Sequence, residues 1–309
     1  METLVDDIGS FPLPVEVNRD TYNRAYQLAR EAMINGQDAS ADPFIRENFY
    51  NVTINSFKKK IDTGLDVINS PWHYDGIRQV SDAIHKAMEK GTFIVDEKDA
   101  LLPEVAVIKA EAKNLSEELG RTISLRACMF GPMEHYLQEI GTIPYKDVLE
   151  GFAETIRRFA KNSIINTKYV KTEVISIDEP SFGFLNIAAE NDVLREVLEK
   201  ACDFQGAVRQ IHLHSTSRLP DLLQVENIDV VSFEYGASPK NIENVSLKML
   251  ADADKQIRVG VSRTDIGSIM AELNDRGVPK PTIEQLVESA EVIKRRYISA
   301  KTKYGDRMT

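Results

Sequence analysis

His212-Leu213-His214 is the sharpest chemical signal in this sequence. Residues i and i+2 of a strand face the same way, so both imidazoles would emerge on one side while Ile211 and Leu213 face the other. Two neutral imidazoles suit a borderline divalent ion such as zinc. Glu234 closes the next β-branched run, Val230 to Glu234. Neighbouring parallel strands lie about 4.8 Å apart, so a carboxylate there would complete a three-ligand centre of His212, His214 and Glu234. The alternative is that the histidines satisfy polar groups of the core.

Two further groups could bind the charged ends of a small molecule. Asp178-Glu179-Pro180 places adjacent carboxylates at the end of an apolar run, facing different sides. One would reach an ammonium group, or else cap a helix or pair with a cation. Ile8-Gly9-Ser10-Phe11-Pro12 is a tight exit with a free amide and the Ser10 hydroxyl, suited to a carboxylate, or simply a turn. Trp72-His73-Tyr74-Asp75 would wall a pocket or cover the fold. His85 reads as solvent-exposed, and His135 starts a helix without an evident partner. Lys58-Lys59-Lys60 reads as a solvated helix face. Cys128 lies within a strand and Cys202 ends a helix, neither beside a base, so a nucleophilic cysteine is not expected.

These residues need a frame, and the sequence supplies alternating elements. Strands are expected at Leu4–Ile8, Asp66–Asn69, Thr122–Met129, Val174–Ile177, Val208–His214, Val230–Glu234 and Ile257–Val261. Helices are expected at about 20–33, 43–62, 75–90, 98–119, 145–166, 191–202, 219–225, 239–251 and 282–303. Strict alternation of strand and helix argues for a parallel sheet with helices outside it. No G-x-G-x-x-G or phosphate loop follows a strand, and seven strands over this length favour a (β/α)8 TIM-type barrel over an open sheet. Polar groups collect where such a barrel keeps its site, at the C-terminal strand ends: Ser10, Asn69, Ser70, Asp178, Glu179, His212, His214, Glu234 and 262–265. The eighth strand is not found by residue 309, and a further C-terminal segment is expected to supply it. One domain, 1–309, is expected.

Composition narrows the partners. The chain has 309 residues, 48 acidic and 38 basic, for a net charge of −10. That charge gives no field to attract phosphate backbones, so no nucleic acid is expected, and no anionic membrane surface. Two cysteines exclude a disulfide framework. No signal peptide or apolar run of membrane length is seen, and a cytoplasmic setting is expected.

Taken together, Ile8-Gly9-Ser10-Phe11-Pro12, Gly131-Pro132, Ile177-Asp178-Glu179-Pro180, Ile211-His212-Leu213-His214 and Glu234 resemble the catalytic barrel of the cobalamin-independent methionine synthase family. The motifs keep the family order across nearly the whole chain, whose size matches the short, single-barrel members. The family binds zinc through a His-x-Cys pair, a Glu and a final Cys after the eighth strand. Here the Cys of the pair is replaced, by His214 in one alignment and Thr216 in the other. The final Cys is expected beyond Thr309.

The resemblance implies methyl transfer to the zinc-activated thiol of homocysteine, giving methionine. His212, His214 and Glu234 would hold zinc. Asp178, or Glu179, would bind the ammonium, and Ser10 with nearby amides the carboxylate. The short members imply a methylated corrinoid such as methylcobalamin, free or on a partner protein, as methyl donor. Two other readings remain: a metal-free relative that binds an amino acid or a corrinoid protein, and a barrel metallohydrolase. The second fits less well, because hydrolases carry H-x-H on the first strand with further histidines downstream.

Overall fold

Six strands form one sheet, all parallel and in sequential order, in a computed structural model that describes residues 5–185, 187–236 and 238–261. They are β1 (Ile68–Asn69), β2 (Ile123–Phe130), β3 (Val170–Asp178), β4 (Val208–Leu213), β5 (Val230–Glu234) and β6 (Gln256–Gly260). Six of the seven expected strands therefore form. The first is reduced to a single parallel bridge, Asp6 to Val67. Its sequence explains this. Carboxylates replace backbone in the ladder: Asp66 Oδ2 accepts the Val5 amide at 2.8 Å and Asp7 Oδ1 accepts the Asn69 amide at 2.8 Å.

The sheet curls. Asp6, beside the β1 edge, accepts a hydrogen bond from Arg258 Nη1 on β6 at 2.5 Å, so one ion pair spans the two ends of the strand order. The same carboxylate pairs with Arg126 on β2. Arg126 also reaches Gln210 on β4 at 3.0 Å. Asp6, Arg126, Gln210 and Arg258 come from alternate segments of the sheet, as do the interior layers of a (β/α) barrel. The described strands thus make a half-barrel, compatible with a TIM-like fold.

Helices connect the strands. They are α1 (Arg19–Ile34), α2 (Pro43–Ile45), α3 (Asn51–Ile61), α4 (Arg78–Met88), α5 (Pro103–Ala110), α6 (Ala112–Leu119), α7 (Pro132–Glu139), α8 (Lys146–Asn162), α9 (Asn191–Ala201), α10 (Leu219–Leu222) and α11 (Leu247–Asp252). Asn18 caps α1 through the Thr21 amide, and Tyr22, Ala25, Tyr26 and Ala29 bury its inner face. α2 and α3 are joined by a π-helical turn, Arg46–Tyr50, within the expected 43–62 helix. One large apolar cluster lies between the sheet and its helices, and a second gathers α1 with the 39–54 region.

Some expectations change. The helix expected at 98–119 starts at Pro103 and breaks at Glu111, because proline takes the first helical turn and Glu111 adopts φ −90°, ψ 5°. The helix at 239–251 divides into a 3-10 turn, Pro239–Asn244, and α11, which Ser246 caps. Lys60 is not solvated: it is buried, and its ammonium meets Asp7 Oδ2 at 2.6 Å and the Asn69 carbonyl at 2.9 Å. The helix expected at 282–303 and the polar group at 262–265 lie outside the described residues. Among the described residues, no helix is long and apolar enough to cross a membrane.

Candidate functional site

Parallel register builds the site. Asp178 pairs with His212, and His212 with Ser232, so three polar residues stand side by side on β3, β4 and β5. Two residues further on come His214 and Glu234. Asn241 ties these exits together: its Nδ2 donates to the His214 carbonyl at 3.0 Å and to the Glu234 carbonyl at 2.8 Å.

His212 is buried and held. Its Nδ1 is hydrogen-bonded to the Ser232 hydroxyl at 3.1 Å, and its Nε2 lies 3.7 Å from Glu234 Oε1. Burial, assisted by neighbouring His214 and Arg126, pushes its pKa down to about 3. The ring is therefore neutral near pH 7, the form that a metal ion takes, and a hydroxyl on the far nitrogen is the kind of partner that orients a ligating histidine. Burial raises the pKa of Glu234.

Two ligand bonds of about 2.0–2.2 Å at a tetrahedral angle place their donor atoms roughly 3.4 Å apart. The His212–Glu234 spacing approaches that span. His214 lies next to His212, ring centroids 5.6 Å apart and nearly perpendicular, and is more exposed. Its pKa is lowered by partial burial, opposed by Glu134. Among the described residues, no three His, Cys, Asp or Glu side chains close into a metal-holding group. The geometry brings two expected ligands together and leaves the third alongside. Thr216 has other work: its hydroxyl donates to the Asn241 carbonyl at 2.8 Å and accepts from Asn244 Nδ2 at 3.0 Å.

Asp178 and Glu179 are both buried but do different things. Asp178 Oδ1 accepts the Ser176 hydroxyl at 2.7 Å. Burial raises its pKa to about 7; Ser176 and Arg126 oppose the rise and Glu234 adds to it. Glu179 caps α7, accepting the Met133 amide at 3.0 Å and the Glu134 amide at 2.8 Å. Burial lifts its pKa to about 8 against those two amides. A Cβ on Gly131 would sit 2.1 Å from Glu179 Oε1, so only glycine permits this approach. Of the two carboxylates, Asp178 is the one with capacity for a ligand.

Ser10 is exposed, and no hydrogen bond joins its side chain to the other site residues among those described. The turn is held by Phe11, whose amide donates to the Pro71 carbonyl at 2.8 Å and whose carbonyl meets His73 Nδ1 at 2.9 Å. Trp72, His73 and Tyr74 are buried, so this cluster covers the fold beside β1. Trp72 adopts φ 52°, rare for a bulky residue. The buried Glu104 steadies the turn by accepting the His73 amide at 2.9 Å and the Tyr22 hydroxyl at 2.6 Å. His85 is exposed and meets Glu139 at 2.8 Å, whereas His135 is buried against the Ser81 hydroxyl at 3.2 Å.

Sequence reasoning missed Arg126, Ser176 and Gln210. The signal was present as alternation: Ser176-x-Asp178, Gln210-x-His212 and Ser232-x-Glu234 each put a polar residue two positions before a site residue, on the same face. No protein-family model matches this chain, and no curated protein matches it.

Proposed function

We propose that this chain is a methyltransferase acting on the thiol of homocysteine, with zinc held by His212, Glu234 and His214, and that the curled sheet belongs to a closed eight-stranded barrel. The observation that carries the proposal is the neutral His212 Nε2 set 3.7 Å from Glu234 Oε1, one strand from the carboxylate of Asp178.

A free thiol has a pKa near 8.5 and is mostly protonated at neutral pH. Zinc, when bound, would supply the charge that keeps the sulfur as thiolate. The protein's own residues do the rest. Ser232 fixes the His212 ring. Asp178 receives the substrate ammonium, whose charge draws the carboxyl back towards its ionised form. The Ser10 hydroxyl receives the carboxylate. The sulfur lone pair then forms the new S–CH3 bond, and the electron pair of the broken bond stays with the donor, a methylated corrinoid.

A second reading is favoured by the absence of a closed three-ligand group among the described residues: a metal-free relative that binds an amino acid. One assay separates them. Purified protein is analysed for zinc and mixed with methylcobalamin with and without homocysteine. The proposal expects about one zinc per chain and demethylation only with the thiol, both lost in Glu234→Ala. Homocysteine binding without zinc or turnover would establish the second reading instead.

A further inference from the structure

We propose that Arg126, Gln210 and Ser176 form a positioning column that fixes Asp178 for a ligand's ammonium group; the inference rests on the amino-acid-binding part of the functional reading. The column runs along the inside of the curled sheet. Arg126 Nη2 donates to Gln210 Oε1 at 3.0 Å, Gln210 Nε2 donates to Ser176 Oγ at 3.0 Å, and Ser176 Oγ donates to Asp178 Oδ1 at 2.7 Å. All four residues are buried, with Arg126 only 1% exposed. Its base is anchored: Arg126 Nη1 donates to the Asp7 carbonyl at 3.0 Å, and Nη2 pairs with Asp6.

The chemistry gives this chain one direction. A guanidinium can only donate, so the Gln210 amide must turn its oxygen to Arg126 and its NH2 to Ser176. The Ser176 hydroxyl, already accepting, then has its proton free for Asp178 Oδ1. Among the described residues, Asp178 side-chain oxygens take part in that hydrogen bond alone, which leaves Oδ2 for an incoming donor. An apolar interior would fill the same space without the cost of desolvating a guanidinium. The polar column therefore gains its use at its upper end, where it sets the angle and position of a carboxylate meant to be approached from one side.

The test compares two thiols by titration calorimetry on the full chain: homocysteine, and 4-mercaptobutanoate, which lacks the ammonium. Gln210→Glu keeps the acceptor for Arg126 but removes the donor to Ser176. Ser176→Ala removes the last link and leaves the Arg126–Gln210 bond intact. Each is expected to weaken homocysteine about tenfold while leaving 4-mercaptobutanoate binding and zinc content unchanged. Ser176→Thr, which restores the hydroxyl, is expected to recover the preference. Equal weakening of both thiols, or an unchanged preference in a folded Ser176→Ala protein, overturns the column. Wild-type protein that binds neither thiol overturns the functional reading along with it.

Discussion

Asp178 and Glu179 are neighbours in sequence and both lie away from water, yet one is tied to a helix and the other has an oxygen to spare. The difference predicts a pH effect. Burial raises the folded pKa of Asp178 to about 7, well above its unfolded value near 3.9. Between about pH 4 and 7 the folded state keeps a proton that the unfolded state has released. Wild-type stability contributed by this group is complete below that window and is lost as pH rises through it, at up to about 1.4 kcal/mol per unit. Asn carries no such proton. In metal-free, ligand-free protein, Asp178→Asn should therefore gain on wild type from pH 4.5 to 8 in denaturant titrations, and a gap independent of pH would contradict the assignment. The adjacent acids were legible in the sequence, but not which one would cap α7. That depends on Gly131 lying against Glu179, 48 positions later, a contact that no local pattern announces.

At the scale of elements, β4 and β5 matter for how they end. Their register sets His212 beside Ser232, and Asn241, in the 3-10 turn after β5, holds the carbonyls of both His214 and Glu234. Removing that clamp would loosen two proposed ligands without touching either side chain. Asn241→Ala is expected to lower zinc affinity about tenfold, in the range found for groups that orient metal ligands. A chelator competition would measure it, and unchanged affinity would show that the exits hold themselves. The strands at 208–214, 230–234 and 257–261 were readable because parallel strands are short β-branched runs, even though Gln256–Gly260 is only half-buried. The first strand was overread, since Asp6 and Asp7 spend their carboxylates on contacts that alternation cannot foresee. The helix breaks at Glu111 and before Ser246 were missed because an apolar rhythm continues through them.

At the scale of the molecule, charge takes the place of apolar packing along part of the sheet's concave side. Asp6 lies between Arg126 and Arg258, joining the chain's beginning to β6. Asp6→Asn would leave two guanidinium groups facing each other without their counter-charge, and a loss of about 3–5 kcal/mol in urea unfolding is expected. A loss below 1 kcal/mol would mean that the curl is held by its apolar contacts alone. The sequence conveyed the parallel order of this sheet well and its polar interior hardly at all, because an arginine inside a strand reads as an exposed one until the curl is known. What the curl brings together is the pair of His212 and Glu234, and the proposed reaction needs a metal that takes up sulfur there. Zinc X-ray absorption of the full-length protein, before and after homocysteine, tests this most directly. A nitrogen and oxygen shell at about 2.0–2.2 Å is expected to gain one sulfur at about 2.3 Å when the thiol is added. A zinc-loaded protein whose shell stays free of sulfur, or a protein that takes up no zinc, would contradict it.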